Sequence, residues 1–311
     1  VVSKRVSMNQ PIVTPKPPVA KPPEPKPGSA DSTKHDRHLD SDEEGYTLIM
    51  GPPENGKTFS ALMVSDFFEK DRLAKRGAEL LTLQEIWLED ALHVPIDNGA
   101  LDGIKSYGMR PRTVNLISMI EQYGVHEAWK PMVEAIATQK ARRPSLKYLI
   151  ADTLSALDTY IRTHTTNTIA DGNTATVARG QASNAIHGNY RRTWNQAALK
   201  LGFDAPIFLM HMKPKYAFMD NEQQKRAMAA VDVAEGDMVP AMAGEAGNHY
   251  IGHASFVLCS DVEGQGTTRK YVYYGERPGY ALKNRYRGIL GSKFEADLGW
   301  VFRQIGRKKT A

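Results

Sequence analysis

One cysteine, Cys259, in 311 residues leaves no partner for a disulfide and too little thiol for a cysteine-rich zinc site. A disulfide-stapled scaffold and a cysteine-based zinc module are therefore excluded, and a reducing compartment is expected. Long apolar runs are missing too. None approaches the roughly 20 residues that a helix needs to cross a bilayer. The first ten residues, VVSKRVSMNQ, lack the apolar stretch and small-residue site of a cleavable leader. The expectation is a chain with no membrane partner and a cytoplasmic location. Neither sign of charge dominates: 40 Lys and Arg against 35 Asp and Glu give a net charge of +5, which is compatible with a nucleic-acid partner but does not establish one. The nine histidines form no spacing that suggests a metal centre.

Large apolar side chains are almost absent from residues 1–43, where PIVTPKPPVAKPPEPKPGSADSTKHDRHLDSDEE is dense in proline, lysine and acids. Such a segment cannot recover the entropy of ordering, so residues 1–43 are expected to form a disordered, Pro/Lys-rich spacer. From residue 44 the pattern alternates strand and helix, which predicts an α/β domain over 44–300 with a mainly parallel sheet flanked by helices. YTLIM, ALHVPID, RTVNLISM, LKYLIAD and PIFLMHM read as strands. KTFSALMVSDFFEKDRLAKR, VHEAWKPMVEAIATQKA and NAIHGNYRRTWNQAALKLG read as helices. NHYIGHASFVLCSDVEG, TRKYVYYGER and ALKNRYRGIL read as a β-rich, hairpin-forming C-terminal part, with His249 and His253 on a core strand and Cys259 buried. Residues 301–311 read as a basic tail.

What the sequence does contain is a phosphate loop. In YTLIMGPPENGKTFSAL, residues Gly51, Gly56, Lys57 and Thr58 satisfy G-x-x-x-x-G-K-[ST], and the motif follows a strand and opens a helix. Gly51 and Gly56 let the backbone turn its N–H groups inward, so Gly51, Pro52, Pro53, Glu54, Asn55, Gly56, Lys57, Thr58 and Phe59 are the expected contacts of a triphosphate. Lys57 would reach the β- and γ-phosphates and the Thr58 hydroxyl would ligate Mg²⁺. The expected cofactors are thus ATP and Mg²⁺. A second acid is needed at the end of a neighbouring buried strand, and LKYLIADT supplies Asp152; the alternative is a plain cap of the following helix.

The pair Asp152–Thr153, a strand-end acid followed by a hydroxyl, resembles the RecA-like P-loop ATPases. IDNGALDGIKSYG resembles their segment that carries the catalytic glutamate, PIFLMHMKPKY their γ-phosphate-sensing strand, and ALKNRYRG their late basic strand that reaches a neighbouring subunit. The whole resembles short phage-encoded RecA-like ATPases of single-strand annealing and recombination. The resemblance implies a homo-oligomer, ring or filament, acting on single-stranded DNA, with a single-strand-binding or annealing protein as a possible partner, in the host cytoplasm if phage-encoded. This chain departs from the pattern where the glutamate is expected: Asp97, Asn98 and Gly99 stand there. Asp97 is the first candidate for general base, with Asp102, Glu85 and Glu54 behind it, and its other reading is a turn cap. His211 is either the γ-phosphate sensor or a satisfied strand-end histidine. Lys283 and Arg285, with Arg287 behind them, are either fingers acting in trans or a solvated basic edge.

Cations interleaved with aromatics mark two candidate strand-binding segments. Lys213, Lys215, Tyr216, Phe218, Lys225 and Arg226 follow PIFLMHM. Arg179, Arg191, Arg192 and Trp194 belong to the polar, glycine-containing TTNTIADGNTATVARGQASNAIHGNYRRTWNQ; the RecA-like resemblance implies that two such loops line the central channel of an oligomer. The other reading of both is a mobile surface loop. Three functions stay open: a DNA-stimulated RecA-like ATPase, a hexameric translocating motor such as a helicase or genome-packaging ATPase, and a nucleotide-gated assembly module with weak hydrolysis.

Overall fold

The computed structural model describes residues 45–68, 85–106, 108–170, 172, 174–204, 206–214, 238–242, 246–264, 270–277, 280, 282–284 and 287–306. The strands are β1 (Thr47–Gly51), β2 (Ile86–Pro95), β3 (Met109–Thr113), β4 (Tyr148–Asp152), β5 (Pro206–Pro214), β6 (Met238–Pro240), β7 (Phe256–Glu263), β8 (Lys270–Tyr274) and β9 (Lys293–Glu295). The helices are α1 (Lys57–Leu62), α2 (Asn98–Ser106), α3 (Leu116–Tyr123), α4 (Trp129–Arg142), α5 (Leu154–Thr168), α6 (Ala175–Leu201), α7 (Ala246–His253), α8 (Arg287–Leu290) and α9 (Leu298–Gln304).

The strands form one sheet in the order β3-β2-β4-β5-β1-β7-β8-β9, with β6 beside β5. β3 to β7 pair in parallel, whereas β8 and β9 close the far side as antiparallel strands and β6 is antiparallel to β5. The fold class is therefore the expected one, α/β with a mainly parallel sheet flanked by helices and a hairpin-built C-terminal part. Apolar runs such as TLIMG and YLIAD are buried along their whole length because both faces of the sheet are covered. Leu48, Met50, Leu149, Phe208 and Val257 face one layer with Leu157 of α5, Trp194 of α6 and Tyr250 of α7. Ile49, Ile150, Leu209 and Leu258 face the other with Leu62 of α1, Ile104 of α2 and Phe302 of α9.

That division positions the site. The chain leaves β1 into α1 on one face and leaves β4 into α5 on the opposite face, with β5 between the two strands. A crevice opens at the carboxyl ends of strands whose connections diverge in this way.

Several local readings are corrected. RTVNLISM is not a strand: β3 ends at Thr113 and α3 begins at Leu116, because the Asn115 side chain accepts a hydrogen bond from the Ser118 N–H at 3.3 Å and caps a helix that buries Leu116, Ile117 and Ile120. His249 and His253 lie on α7, not on a strand, and both are exposed. The helix expected after the phosphate loop stops at Leu62, and residues 69–84 lie outside the described residues. In ALKNRYRG, Lys283 makes an isolated antiparallel bridge to Val257 and Arg287 starts α8, so no late basic strand forms among the described residues. α9 carries the fold past residue 300, with Val301 and Phe302 buried in the stretch read as a basic tail. The spacer read at 1–43 lies outside the described residues. No helix of the described residues is long and apolar enough to cross a membrane.

Candidate functional site

Both glycines of the phosphate-loop motif are required by their surroundings. A Cβ at Gly51 would lie 2.4 Å from the Ser260 carbonyl oxygen, since β1 runs beside β7 there. Gly56 has φ 69°, and a Cβ on it would lie 2.4 Å from the Tyr271 ring. The outer side of the loop is braced from β7: the Ser260 hydroxyl donates to the Asn55 carbonyl at 2.8 Å, and the Asn55 amide donates to Asp261 Oδ1 at 3.0 Å. Arg277 holds the other oxygen of Asp261 at 2.5 Å. One turn into α1, Ser60 accepts a hydrogen bond from the Tyr273 hydroxyl at 2.6 Å. These braces come from residues far along the chain, and sequence reading missed all of them.

At the mouth of the crevice the Thr58 hydroxyl donates to Asp152 Oδ2 at 2.6 Å. Asp152 ends β4, is 1% exposed and is joined to Thr153 by a cis peptide bond. Nε2 of His93, a fully buried residue of β2, lies 3.3 Å from the same Asp152 oxygen. His93 was not singled out in the sequence; its signal was a lone polar residue inside the apolar run ALHVPI. The Lys57 ammonium donates to the Pro52 carbonyl at 2.5 Å. Burial brings its pKa down to about 8, against the opposing pull of Asp152, Cys259 and Asp97.

Asp97 is held from two directions. Its Oδ1 accepts from the Ala100 N–H at 2.7 Å, capping α2, and its Oδ2 accepts from the Thr153 hydroxyl at 3.3 Å. Burial, with the Asp152 charge, raises its pKa, and the hydrogen bonds from Ala100 and Thr153 oppose the rise. The turn-cap reading and the cleft position are thus both realised. His211 stands within β5, in register with Gly51 and three residues before the strand ends at Pro214, and its backbone N–H donates to Ser155 Oγ at 2.9 Å. Burial, reinforced by the Lys57 cation, lowers its imidazole to about 4. These groups enclose a cavity of about 470 Å³, lined by Glu54, Gly56, Lys57, Thr58, Asp97, Asp152, Thr153 and His211 among others.

The His211 shift predicts a pH effect. The imidazole titrates near 6.5 when unfolded and near 4 when folded, so between these values the unfolded chain binds more protons and stability falls as pH drops. His211→Asn should lose less stability than the wild type from pH 6.5 down to 4, by on the order of 1–2 kcal/mol in urea titrations. Parallel stability curves for the two proteins would contradict it.

Other expected site residues are not brought together here. Glu85 is exposed just before β2 and pairs with Arg110 at 2.9 Å, and Asp102 is exposed on α2, and neither lines the cavity. Lys283 turns its ammonium to the Ala254 and Gly252 carbonyls at 2.7 and 3.2 Å, at the carboxyl end of α7. Arg285, Lys215, Tyr216, Phe218, Lys225 and Arg226 lie outside the described residues. The segment read as a second polar loop is largely helical: Trp194 is fully buried on α6, Arg192 pairs with Asn189 on the same helix, and Arg191 reaches the His249 carbonyl. Arg179 donates to the Ile169 carbonyl at 3.2 Å. Lys213 is half-buried on β5, and burial with the Arg162 cation lowers its pKa.

No protein-family model matches the chain, and no curated protein matches it. Among solved structures, a KaiC-like protein from the hyperthermophilic archaeon Pyrococcus horikoshii is 11% identical with a TM-score of 0.35, over 74% of this chain and 78% of that one. The flagellar accessory protein FlaH from Methanocaldococcus jannaschii is 12% identical with a TM-score of 0.33, over 78% of this chain and 81% of that one.

Proposed function

We propose that this chain is a RecA-like ATPase that binds a magnesium nucleoside triphosphate in the crevice between β1 and β4 and hydrolyses it in response to single-stranded DNA. The observation that carries the reading is the 2.6 Å contact between Thr58 and Asp152, which lie 94 positions apart yet meet beside Lys57. A hydroxyl and a buried carboxylate are hard oxygen donors of the kind Mg²⁺ prefers, so the residues fit the ion. Thr58 and Asp152 would hold it, and when bound it would offset charge on the β- and γ-phosphate oxygens.

The chain's own groups then have separable tasks. Backbone N–H groups between Gly51 and Thr58 cradle the phosphates, and the buried Lys57 ammonium stabilises charge growing on the transferred group. Asp97 takes the proton of the attacking water, a task suited to a carboxylate whose basicity burial has raised. His211, neutral at pH 7, hydrogen-bonds the γ-phosphate or that water and passes its position to α5 through Ser155. Work as a homo-oligomer in phage-type recombination or replication, with Arg285 as the finger in trans, belongs to the same proposal.

The test is ATP turnover with and without single-stranded DNA at two salt concentrations. Stimulation that fades as salt rises is the expected result. Turnover indifferent to DNA at low salt would remove the DNA-acting part. A second reading is favoured by one observation: both Asp97 oxygens already accept hydrogen bonds. A carboxylate so occupied is a slow base, and tight nucleotide binding with slow turnover would identify a nucleotide-gated assembly module.

A further inference from the structure

The sheet edge formed by β2 and β3 carries a patch that the nucleotide cleft does not use. Along the first half of β2 the side chains alternate: Ile86 and Leu88 point into the core, Trp87 and Glu89 out. Trp87 is 52% exposed, and the guanidinium of Arg112 on β3 sits 5.6 Å from its ring centroid. Beside it lies a groove of about 570 Å³ lined by Pro111, Arg112, Thr113, Gln139, Arg142 and Arg143, with no carboxylate in its wall.

The neighbouring acids are already engaged. Glu89 pairs with Arg112 at 2.5 Å and Arg143 at 3.0 Å, and Glu85 with Arg110 at 2.9 Å. Arg142, in the last turn of α4, is exposed and has no acidic partner among the described residues. Arginines at 110, 112, 142 and 143 thus outnumber the glutamates at 85 and 89, and the patch keeps a positive excess.

Three occupants compete for such an edge. An added β-strand is disfavoured, because Pro111 offers no N–H in the middle of β3 and the β2–β3 pairing is irregular between Leu88 and Leu92. An acidic polypeptide would satisfy the arginines and leave the exposed indole without a use. A single nucleic-acid strand uses both, phosphates on the guanidinium groups and a base on the ring. We propose that Trp87, Arg112, Arg142 and Arg143 form a binding surface for single-stranded nucleic acid. This takes up the DNA partner of the function proposed above and rests on that reading, but seats the strand on the sheet edge instead of on the segments after β5 and α5.

The experiment measures binding of a fluorescent oligothymidylate of roughly 20 nucleotides to the full chain by anisotropy, across a salt series. Trp87→Ala should weaken binding about fivefold to a hundredfold. The double variant Arg142→Gln/Arg143→Gln should weaken it and flatten the slope of log K against log salt by about 1.4, at roughly 0.7 per lost phosphate contact. Both variants should bind Mg·ATP as the wild type does, since these residues lie outside the cleft. Unchanged strand binding in both variants overturns the surface and leaves the ATPase proposal standing. Loss of strand binding in the variants of a protein whose turnover ignores DNA supports the surface and overturns the DNA-stimulated ATPase. A wild type that binds no strand at low salt overturns both. Competition by polyglutamate equal to that of the oligonucleotide, with Trp87→Ala neutral, assigns the patch to an acidic polypeptide and overturns the proposal.

Discussion

Lys57→Ala is expected to lower ATP turnover by at least about 10²-fold and to weaken nucleotide binding markedly, because it removes the one Lys or Arg among the described residues that line the cavity. Glu54, Asp97 and Asp152 remain in that lining, so a polyanion would meet carboxylates with no lysine or arginine to offset them. Lys57 is only 4% exposed, and charge interactions weigh more heavily in such a low-dielectric setting than at the surface. The fold itself should not suffer. Burial already penalises the ammonium, bringing its pKa to about 8, so alanine relieves a cost in the nucleotide-free protein. The diagnostic pattern is an unchanged or raised melting temperature together with lost turnover. Wild-type ATPase activity in this variant would exclude the cleft as the reaction site.

Asp152→Asn should cost about 10²–10³-fold in turnover and should abolish the gain in nucleotide affinity on adding Mg²⁺, since an amide keeps the shape of the carboxylate but not its charge. The Thr58 hydroxyl still finds an oxygen acceptor at 2.6 Å, so the local geometry is retained. His93 at 3.3 Å loses a charged partner in the core, and a stability loss of about 1–2 kcal/mol follows. Titrating Mg²⁺ against a fluorescent ATP analogue separates the two effects: the wild type should bind more tightly with magnesium and the variant should not. A variant that still responds to magnesium as the wild type does would show that Asp152 is a structural cap only.

Parts of the site governed by adjacent residues could be read directly. Gly51, Gly56, Lys57 and Thr58 form a turn whose geometry depends on the backbone freedom of two glycines, and YLIAD announces a buried strand ending in an acid. Competition between local signals produced the errors. Val114 and Ile117 favoured a strand, but the Asn115 cap and the apolar spacing of Leu116, Ile117 and Ile120 won and made α3. The polar run before Trp194 looked like a loop, yet most of it, from Ala175 on, is α6, where Tyr190 packs on Trp194 and Trp194 on Phe208. No local signal marks Ser260, Asp261 or Tyr271 as neighbours of the phosphate loop, because strand pairing alone carries them there.

By itself, then, the sequence determined that the chain alternates strand and helix, carries a glycine-built turn of the G-x-x-x-x-G-K-[ST] pattern and ends a buried strand in Asp152. The tertiary structure decided that β5 lies between β1 and β4, that His211 and His93 flank the carboxylate, and that β7 and β8 buttress the loop. The physical reason is the range of the forces involved. Turns and caps follow from dihedral preferences and hydrogen bonds a few residues apart, whereas the order of strands follows from burying both faces of one sheet, a condition that only the whole chain can satisfy.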